Sequence, residues 1–108
     1  MRWQEGRQGT GYQKRLLLQR AGPPLPFDLY LLRYPPGAQI PEHTDPVAKG
    51  RHFRLNIVLK RGRGGEFRCA SPIVNTPRIK LFRPDVQPHS VGLVHEARYV
   101  LSLGWLLP

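Results

Sequence analysis

Proline and glycine punctuation is the feature that most constrains what this chain can fold into. Twelve prolines and eleven glycines are spread over 108 residues. Proline interrupts a helix because it lacks a backbone N–H and clashes with the preceding turn. Between these breaks lie short runs of β-branched, aromatic and leucine residues, which are typical of strands. The sequence therefore predicts a single all-β domain, a sandwich or barrel, with little or no helix.

Hydrophobic periodicity predicts where the strands lie. Residues 61–65, Arg-Gly-Arg-Gly-Gly, indicate a glycine-rich hairpin turn with residues 66–70 as its return strand. Residues 12–19 are expected to pair with the strand at 28–34. They belong to an amino-terminal extension (1–27), which is expected to pack as a hairpin strand on the domain formed by residues 28–108. The strands expected in that domain are residues 28–34, 53–60, 66–70, 78–82, around 90–94, and 98–106.

Two histidines and one aspartate have a spacing that suits a metal. His43 and Asp45 flank Thr44 after a strand-like run, and His89 follows 44 residues after Asp45. Two imidazoles and one carboxylate can occupy one triangular face of an octahedral metal, the usual ligand set of non-haem Fe(II) oxygenases. The plainer interpretation is that each histidine is a surface or structural residue. Arg98, nine residues after His89, favours the metal interpretation.

Strand alternation provides a second test of the site, because residues two apart on a strand share a face. On the last strand, Arg98 shares a small and polar face with Ser102, which suits a ligand pocket. On the strand at 53–60, Arg54 and Asn56 share a face and are candidates for a second polar lining, although a strand arginine can also stand in solvent. His52 and His95 lack a carboxylate at ligand spacing, so we expect exposed or supporting imidazoles there.

Six short segments carry a family resemblance. They are Leu32-Arg-Tyr-Pro-Pro-Gly37, His43-Thr-Asp45, Gly64-Gly-Glu-Phe67, Phe82-Arg-Pro-Asp85, His89-Ser-Val91 and Arg98-Tyr99. In this order, across residues 28 to 105, they resemble the prolyl-hydroxylase-like branch of the 2-oxoglutarate/Fe(II)-dependent dioxygenase superfamily. The resemblance implies a double-stranded β-helix, the cupin-like jelly-roll, with a metal in its open mouth.

The resemblance also implies a role for each candidate residue. His43, Asp45 and His89 would hold Fe(II), which also binds 2-oxoglutarate and O2. Arg98 would anchor the distal carboxylate of 2-oxoglutarate through a bidentate, charge-assisted fork, and Tyr34 would lie beside it. Arg54 and Asn56 complete the expected cofactor-binding set. The implied reaction hydroxylates a substrate that the sequence does not identify, with succinate and CO2 as co-products.

Two other functional classes stay open from sequence alone. One is a metal-binding cupin, either an isomerase or a small-molecule binder, because a fold does not dictate chemistry. Its usual first motif has two histidines and a glutamate, where this chain has His43-Thr-Asp45. The other is a non-enzymatic basic β-barrel that binds nucleic acid, which the net charge of +10 favours. Aromatic residues make up only 9% of the chain and form no stacking cluster, which weakens that alternative.

Charge and hydropathy suggest the compartment and the partners. The chain has thirteen arginines and four lysines but only seven acidic residues. This excess of positive charge favours an acidic substrate. The first ten residues contain no apolar run of a signal peptide, and no stretch is long enough to span a membrane. We therefore expect a cytoplasmic protein.

The face opposite the pocket raises the question of assembly. Its apolar residues are expected to be covered by residues 3–27 or by the second subunit of a homodimer. These residues are Phe53, Leu55, Ile57, Leu59, Tyr99, Leu101, Leu103 and Trp105.

Overall fold

A computed structural model describes residues 3–6, 10–22 and 25–108. Within these ranges there are ten strands and no helix, which confirms the all-β prediction. Residues 1–2, 7–9 and 23–24 of the expected amino-terminal extension lie outside the described residues. The strands are β1 (Gln4–Glu5), β2 (Gln13–Arg20), β3 (Phe27–Tyr34), β4 (Ile40–His43), β5 (Arg51–Lys60), β6 (Phe67–Cys69), β7 (Val74–Asn75), β8 (Ile79–Phe82), β9 (His89–Val91) and β10 (Arg98–Leu107).

The described strands form two antiparallel sheets. The larger has seven strands in the order β1-β2-β3-β10-β5-β8-β7, and the smaller has three in the order β4-β9-β6. Neighbouring strands are distant in sequence, as in β3-β10-β5, which is the crossing pattern of a jelly-roll. The predicted double-stranded β-helix is confirmed. The expected pairing of residues 12–19 with 28–34 is present as β2 beside β3.

Strand alternation sorts the residues of β10 as the sequence predicts. Val100 and Ser102 are buried, with 7% and 1% of their surface exposed, and Gly104 is buried with them. The intervening residues Leu101 and Leu103 are half-buried on the opposite face. The inward face meets the smaller sheet around one core, whose buried apolar residues are Leu32, Tyr34, Ala38, Ile40, Val58, Val94 and Val100.

The turn at Pro35-Pro36-Gly37 leads into the segment that carries His43 and Asp45. The Ala38 amide donates to the Pro35 carbonyl at 3.1 Å, and Gly37 has φ +91°. Proline at the second position and a positive-φ glycine at the third are the requirements of a type II turn. The Gly37 amide also donates to the Val94 carbonyl at 2.8 Å. The turn therefore ties the chain between the sheets just before β4.

The prediction of a hairpin at residues 61–65 is wrong. β5 pairs with β10 and β8, whereas β6 pairs with β9 in the other sheet. The glycine-rich segment is thus a connection between sheets. Its positive-φ glycines are Gly64 and Gly65. Gly65 is needed for close packing, because the Arg98 side chain passes directly against the position that a Gly65 Cβ would occupy. A local turn signal cannot distinguish these two uses of glycine.

The outer face of the larger sheet is apolar and incompletely covered by the described residues. Leu59 is 51% exposed, and its neighbours on that face, among them Leu101 and Leu103, are half-buried. β2 lies beside β3, so it widens this face and does not cover it. The homodimer stays a prediction, which sedimentation at micromolar concentration can test.

Among residues 3–6, 10–22 and 25–108, no helix has the length and hydropathy needed to cross a bilayer.

Candidate metal centre and ligand cavity

The structure brings the three predicted metal ligands together. His43 ends β4 and His89 begins β9, and the two are direct register partners. The His43 and His89 Nε2 atoms lie 3.6 and 3.4 Å from Asp45 Oδ2. One ligand atom from each residue lies within 4.8 Å of the others. The histidine side chains are 13% and 10% exposed and the aspartate is 45% exposed, so the cluster opens to solvent on the aspartate side.

Backbone contacts fix the tautomer of both imidazoles. His43 Nδ1 lies 2.8 Å from the Pro41 carbonyl, and His89 Nδ1 lies 2.8 Å from the Gln87 carbonyl. A carbonyl only accepts, so the neutral form of each ring carries its proton on Nδ1 and presents a bare lone pair on Nε2. Hydrogen-bonded support of this kind is what metal-binding histidines usually have on the nitrogen that does not bind the metal.

This donor set fits a divalent cation. Two imidazole lone pairs and a carboxylate oxygen face one another, and a proton-bearing Nε2 would remove one of these donors. Electron-rich atoms at 3.4 to 3.6 Å repel one another unless a positive charge lies among them. Two imidazoles and one carboxylate are the facial ligand set that suits Fe(II) with further positions open. Residues His43, Asp45 and His89 would therefore hold such a metal.

A cavity of about 370 Å³ opens beside the triad. Its polar lining includes three of the four other predicted site residues, Tyr34, Arg54 and Asn56. The apolar lining comes from both sheets. These apolar residues are Leu32, Ile40, Phe67, Phe82 and Val91.

The fourth predicted residue, Arg98, lines a smaller adjoining cavity of about 30 Å³. It is not among the lining residues of the triad cavity, but the two cavities share Tyr34, Asn56, Phe67 and Val91 as walls. Arg98 Nη1 donates to the Gly62 and Gly64 carbonyls at 2.9 and 3.1 Å. These bonds hold the guanidinium at the end of the shared wall.

The wall between the cavities carries one buried polar atom without a partner among the described residues, together with a buried phenol. Asn56 Oδ1 is buried and has no hydrogen-bond partner among the described residues. Burial raises the pKa of Tyr34 well above its ordinary value, with a smaller contribution from Tyr12, so the phenol keeps its proton. A buried polar atom without a partner is costly. This observation fits a polar ligand that extends from the triad cavity toward Arg98.

Arg54 is held inside the triad cavity and does not stand in solvent. Its side chain is 17% exposed, and Nη2 lies 2.8 Å from Asp28 Oδ1. Nη1 donates to Ser102 Oγ at 2.8 Å, and Nη2 lies 3.3 Å from His52 Nε2. The solvent alternative for Arg54 is therefore wrong, because the inward face of β5 meets small residues of β10.

Sequence reasoning left His52 open between an exposed and a supporting imidazole, and it missed the role of Asp28. His52 is half-buried and lines the triad cavity. Burial lowers the pKa of His52, and the positive charge of Arg54 lowers it further, so its ring stays neutral and can accept from Arg54. Asp28 gave no signal beyond being a polar residue near the start of a strand. His95 is exposed, as expected.

The loop between β8 and β9 supports the aspartate of the triad. The Asp45 amide donates to the Pro84 carbonyl at 2.7 Å. On either side of Pro84, Arg83 and Asp85 form a two-pronged ion pair, with Nη2–Oδ2 at 2.6 Å and Nε–Oδ1 at 3.2 Å. The Asp85 side chain is only 4% exposed. This ion pair therefore orders the loop that positions Asp45.

We expect Asp85→Asn to destabilise the fold by about 1 to 2 kcal/mol at neutral pH. Burial on its own raises the pKa of Asp85, but hydrogen bonds from Arg83 and the His52 backbone amide outweigh it, so the net shift is downward. A carboxyl with a lowered folded-state pKa stabilises the fold above its unfolded-state pKa, and this contribution disappears as the pH falls through the folded-state value. Thermal melts of the two proteins should therefore differ at neutral pH and converge in acid.

The control for Asp85 is Glu96→Gln. Glu96 pairs with Arg63 at 2.7 Å, but the two side chains are 55% and 80% exposed, and exposed pairs contribute little. Equal melting temperatures of Asp85→Asn and Glu96→Gln at neutral pH would contradict the proposed support of Asp45.

The sequence matches no model of a known protein family and no curated protein. Solved structures do resemble the fold. KdgF from Halomonas sp. is 16% identical, with a TM-score of 0.65 over 100% of this chain and 88% of that one. A Pseudomonas putida prolyl-4-hydroxylase is 20% identical, with a TM-score of 0.71 over 96% of this chain and 76% of that one.

A prolyl 4-hydroxylase from Phytophthora capsici is 29% identical, with a TM-score of 0.60 over 74% of this chain and 32% of that one. Structures described as cupins are also among the similar folds. These likenesses establish the double-stranded β-helix, which hydroxylases and cupins share. The reaction must be argued from the site.

Proposed function

We propose that this protein is an Fe(II)- and 2-oxoglutarate-dependent dioxygenase that hydroxylates a substrate and releases succinate and CO2. The observation that carries the proposal is the triad of His43, Asp45 and His89, whose imidazoles are both locked as Nε2 donors. A facial set of two histidines and one carboxylate leaves positions open for a co-substrate and O2. The prolyl-4-hydroxylases among the structural neighbours support this choice.

The cavity supports the same choice. Fe(II), 2-oxoglutarate and O2, when bound, would supply the oxidising chemistry, and the protein would contribute binding, orientation and a shaped cavity. Arg98 is held by the Gly62 and Gly64 carbonyls through Nη1, which leaves Nε and Nη2 as the fork that would receive the distal carboxylate. The Tyr34 phenol keeps its proton and lies on the wall that leads to Arg98. It would donate to the same carboxylate.

The remaining lining residues control water. Leu32, Ile40, Phe82 and Val91 contribute an apolar lining to the cavity beside the triad. An apolar lining strengthens the ionic contacts of Arg98 by lowering the local dielectric constant. Asp45, the most exposed member of the triad, marks the side from which a substrate would enter.

A metal-binding cupin, acting as an isomerase or a small-molecule binder, is the second candidate. Cupins among the structural neighbours favour it. Such a protein would need the triad but not a second anchor for a dicarboxylate. The fixed position of Arg98 and Asn56 Oδ1, which has no partner among the described residues, therefore favour the oxygenase.

Anaerobic reconstitution with Fe(II) and 2-oxoglutarate separates the two candidates. The dioxygenase should develop a metal-to-ligand charge-transfer band on adding 2-oxoglutarate to the iron-loaded chain, and should produce succinate when air is admitted. A chain that binds Fe(II) but gives neither the band nor succinate is the cupin.

A further inference from the structure

Arg54 owes its position to one row of residues across three strands. Asp28 on β3, Gly104 on β10 and Arg54 on β5 are register partners. Because Gly104 has no side chain, Asp28 and Arg54 reach across it and form their 2.8 Å ion pair. A Cβ on Gly104 would collide with the Arg54 guanidinium. This row is the reason that an arginine fits on the inward face of the sheet.

The guanidinium faces the triad cavity, whereas its counter-ion does not. Arg54 is a lining residue of the 370 Å³ cavity, but Asp28 lines a separate cavity of about 250 Å³ together with Gly104. The contacts to Asp28, Ser102 and His52, the ones found in the described part of the chain, use three of the five N–H groups of a guanidinium. Donors are therefore left for a ligand in the cavity.

Arg54 and Arg98 serve opposite ends of the site. Arg54 pairs with Phe82, whose ring centroid lies 5.1 Å from that of His89, so it belongs to the triad end. Arg98 pairs with Tyr34, whereas Arg54 pairs with Gly104, six residues further along β10. Six residues of strand span roughly 20 Å. One small dicarboxylate anchored at Arg98 would therefore leave Arg54 available to a different anion.

We propose that Arg54 binds a carboxylate of the substrate, so that the hydroxylated compound is a small organic acid. This inference rests on the proposed dioxygenase function. Among the described charged residues that line the triad cavity, Lys14 and Arg54 are cationic and only Asp45 is anionic. A guanidinium held by Asp28 and Ser102 is already ordered, so little side-chain entropy is lost when it receives a carboxylate. A cavity of about 370 Å³ suits a small compound.

The test compares matched acids and amides as probes. The full chain is loaded with Zn(II) and saturating 2-oxoglutarate, so that the metal and co-substrate positions are filled. Saturation-transfer NMR then measures binding of propanoate, butanoate and pentanoate against propanamide, butanamide and pentanamide. We expect each acid to bind at least about tenfold more tightly than its amide, because only the acid forms the charge-assisted pair with Arg54.

Three variants show whether Arg54 carries this preference. Asp28→Asn with Arg54→Gln replaces the ion pair by a neutral hydrogen-bonded pair, which avoids leaving Asp28 buried alone. Gly104→Ala keeps both charges but displaces the guanidinium. Both changes should bring the acid-to-amide ratio close to one, whereas Arg54→Lys should retain part of the ratio. A purely stabilising role would change the melting temperature but not the ratio.

The outcomes separate this inference from the proposed function. If the metal-loaded chain does not bind 2-oxoglutarate, the proposed function fails, and the acid-to-amide ratio can still be measured without it. Equal binding of acids and amides by the wild-type chain would overturn the substrate assignment alone. Loss of 2-oxoglutarate affinity in the double variant, with the ratio unchanged, would also overturn it, since Arg54 would then be the co-substrate anchor.

Discussion

Replacing His89 with alanine is expected to abolish Fe(II) binding. Its Nε2 lies 3.4 Å from Asp45 Oδ2 and is one of three donors that lie within 4.8 Å of one another. Loss of a group that only orients a metal ligand already costs about 10- to 100-fold in affinity, so loss of a ligand itself should cost more. Anaerobic calorimetric titration of Fe(II) should therefore give one site per chain for the wild type and none for His89→Ala. The same loss is expected for His43→Ala and Asp45→Ala.

His95→Ala is the matched control for the metal experiment. His95 is exposed and is not part of the cluster that the described residues form, so its removal should leave one Fe(II) per chain. Undiminished iron stoichiometry in His89→Ala would show that the triad is not the metal site. Circular dichroism checks that each variant keeps the strands of the wild type.

Local patterns were sufficient to predict the longer strands and to single out the triad, but they did not predict the short strands β1, β4 and β7. Proline and glycine spacing excluded long helices, and period-two alternation put Ser102 and Gly104 on the inward face of β10, where both are buried. His43 and Asp45 are two residues apart, and His89 begins a short strand, so the fold needed only to pair β4 with β9 to assemble them. The local sequence pattern could indicate the triad because its three donors lie at or next to the ends of short strands.

Strand partners could not be predicted from local patterns. The glycines at 62, 64 and 65 satisfy the rule for a hairpin, yet β5 and β6 belong to different sheets. Pairing in a jelly-roll joins strands that are far apart in sequence, such as β3 with β10, and no local signal specifies that choice. For the same reason the ion pair of Asp28 with Arg54 could not be predicted, because it depends on Gly104 of a third strand lying between them.

The position of Arg98 leads to the second large expected effect. Its Nη1 is held by two carbonyls of the glycine-rich connection, Gly62 and Gly64. The rest of the guanidinium lines the small cavity that continues from the triad cavity along Tyr34 and Asn56. Under the proposed function, an arginine held in this way would act as a preorganised receptor for the distal carboxylate of 2-oxoglutarate.

Arg98→Ala should leave Fe(II) bound but weaken 2-oxoglutarate binding by about 2 to 4 kcal/mol, as expected for the loss of a buried charge-assisted pair. This corresponds to a rise in Kd of about 30- to 900-fold in anaerobic calorimetric titration. The 2-oxoglutarate affinity of Arg98→Lys should lie between those of the wild type and Arg98→Ala, because an ammonium supplies the charge without the fork. Arg61→Ala, at an exposed arginine of the same connection, is the control. Unchanged 2-oxoglutarate affinity in Arg98→Ala would move the anchor to Arg54, and the substrate carboxylate would then need another partner.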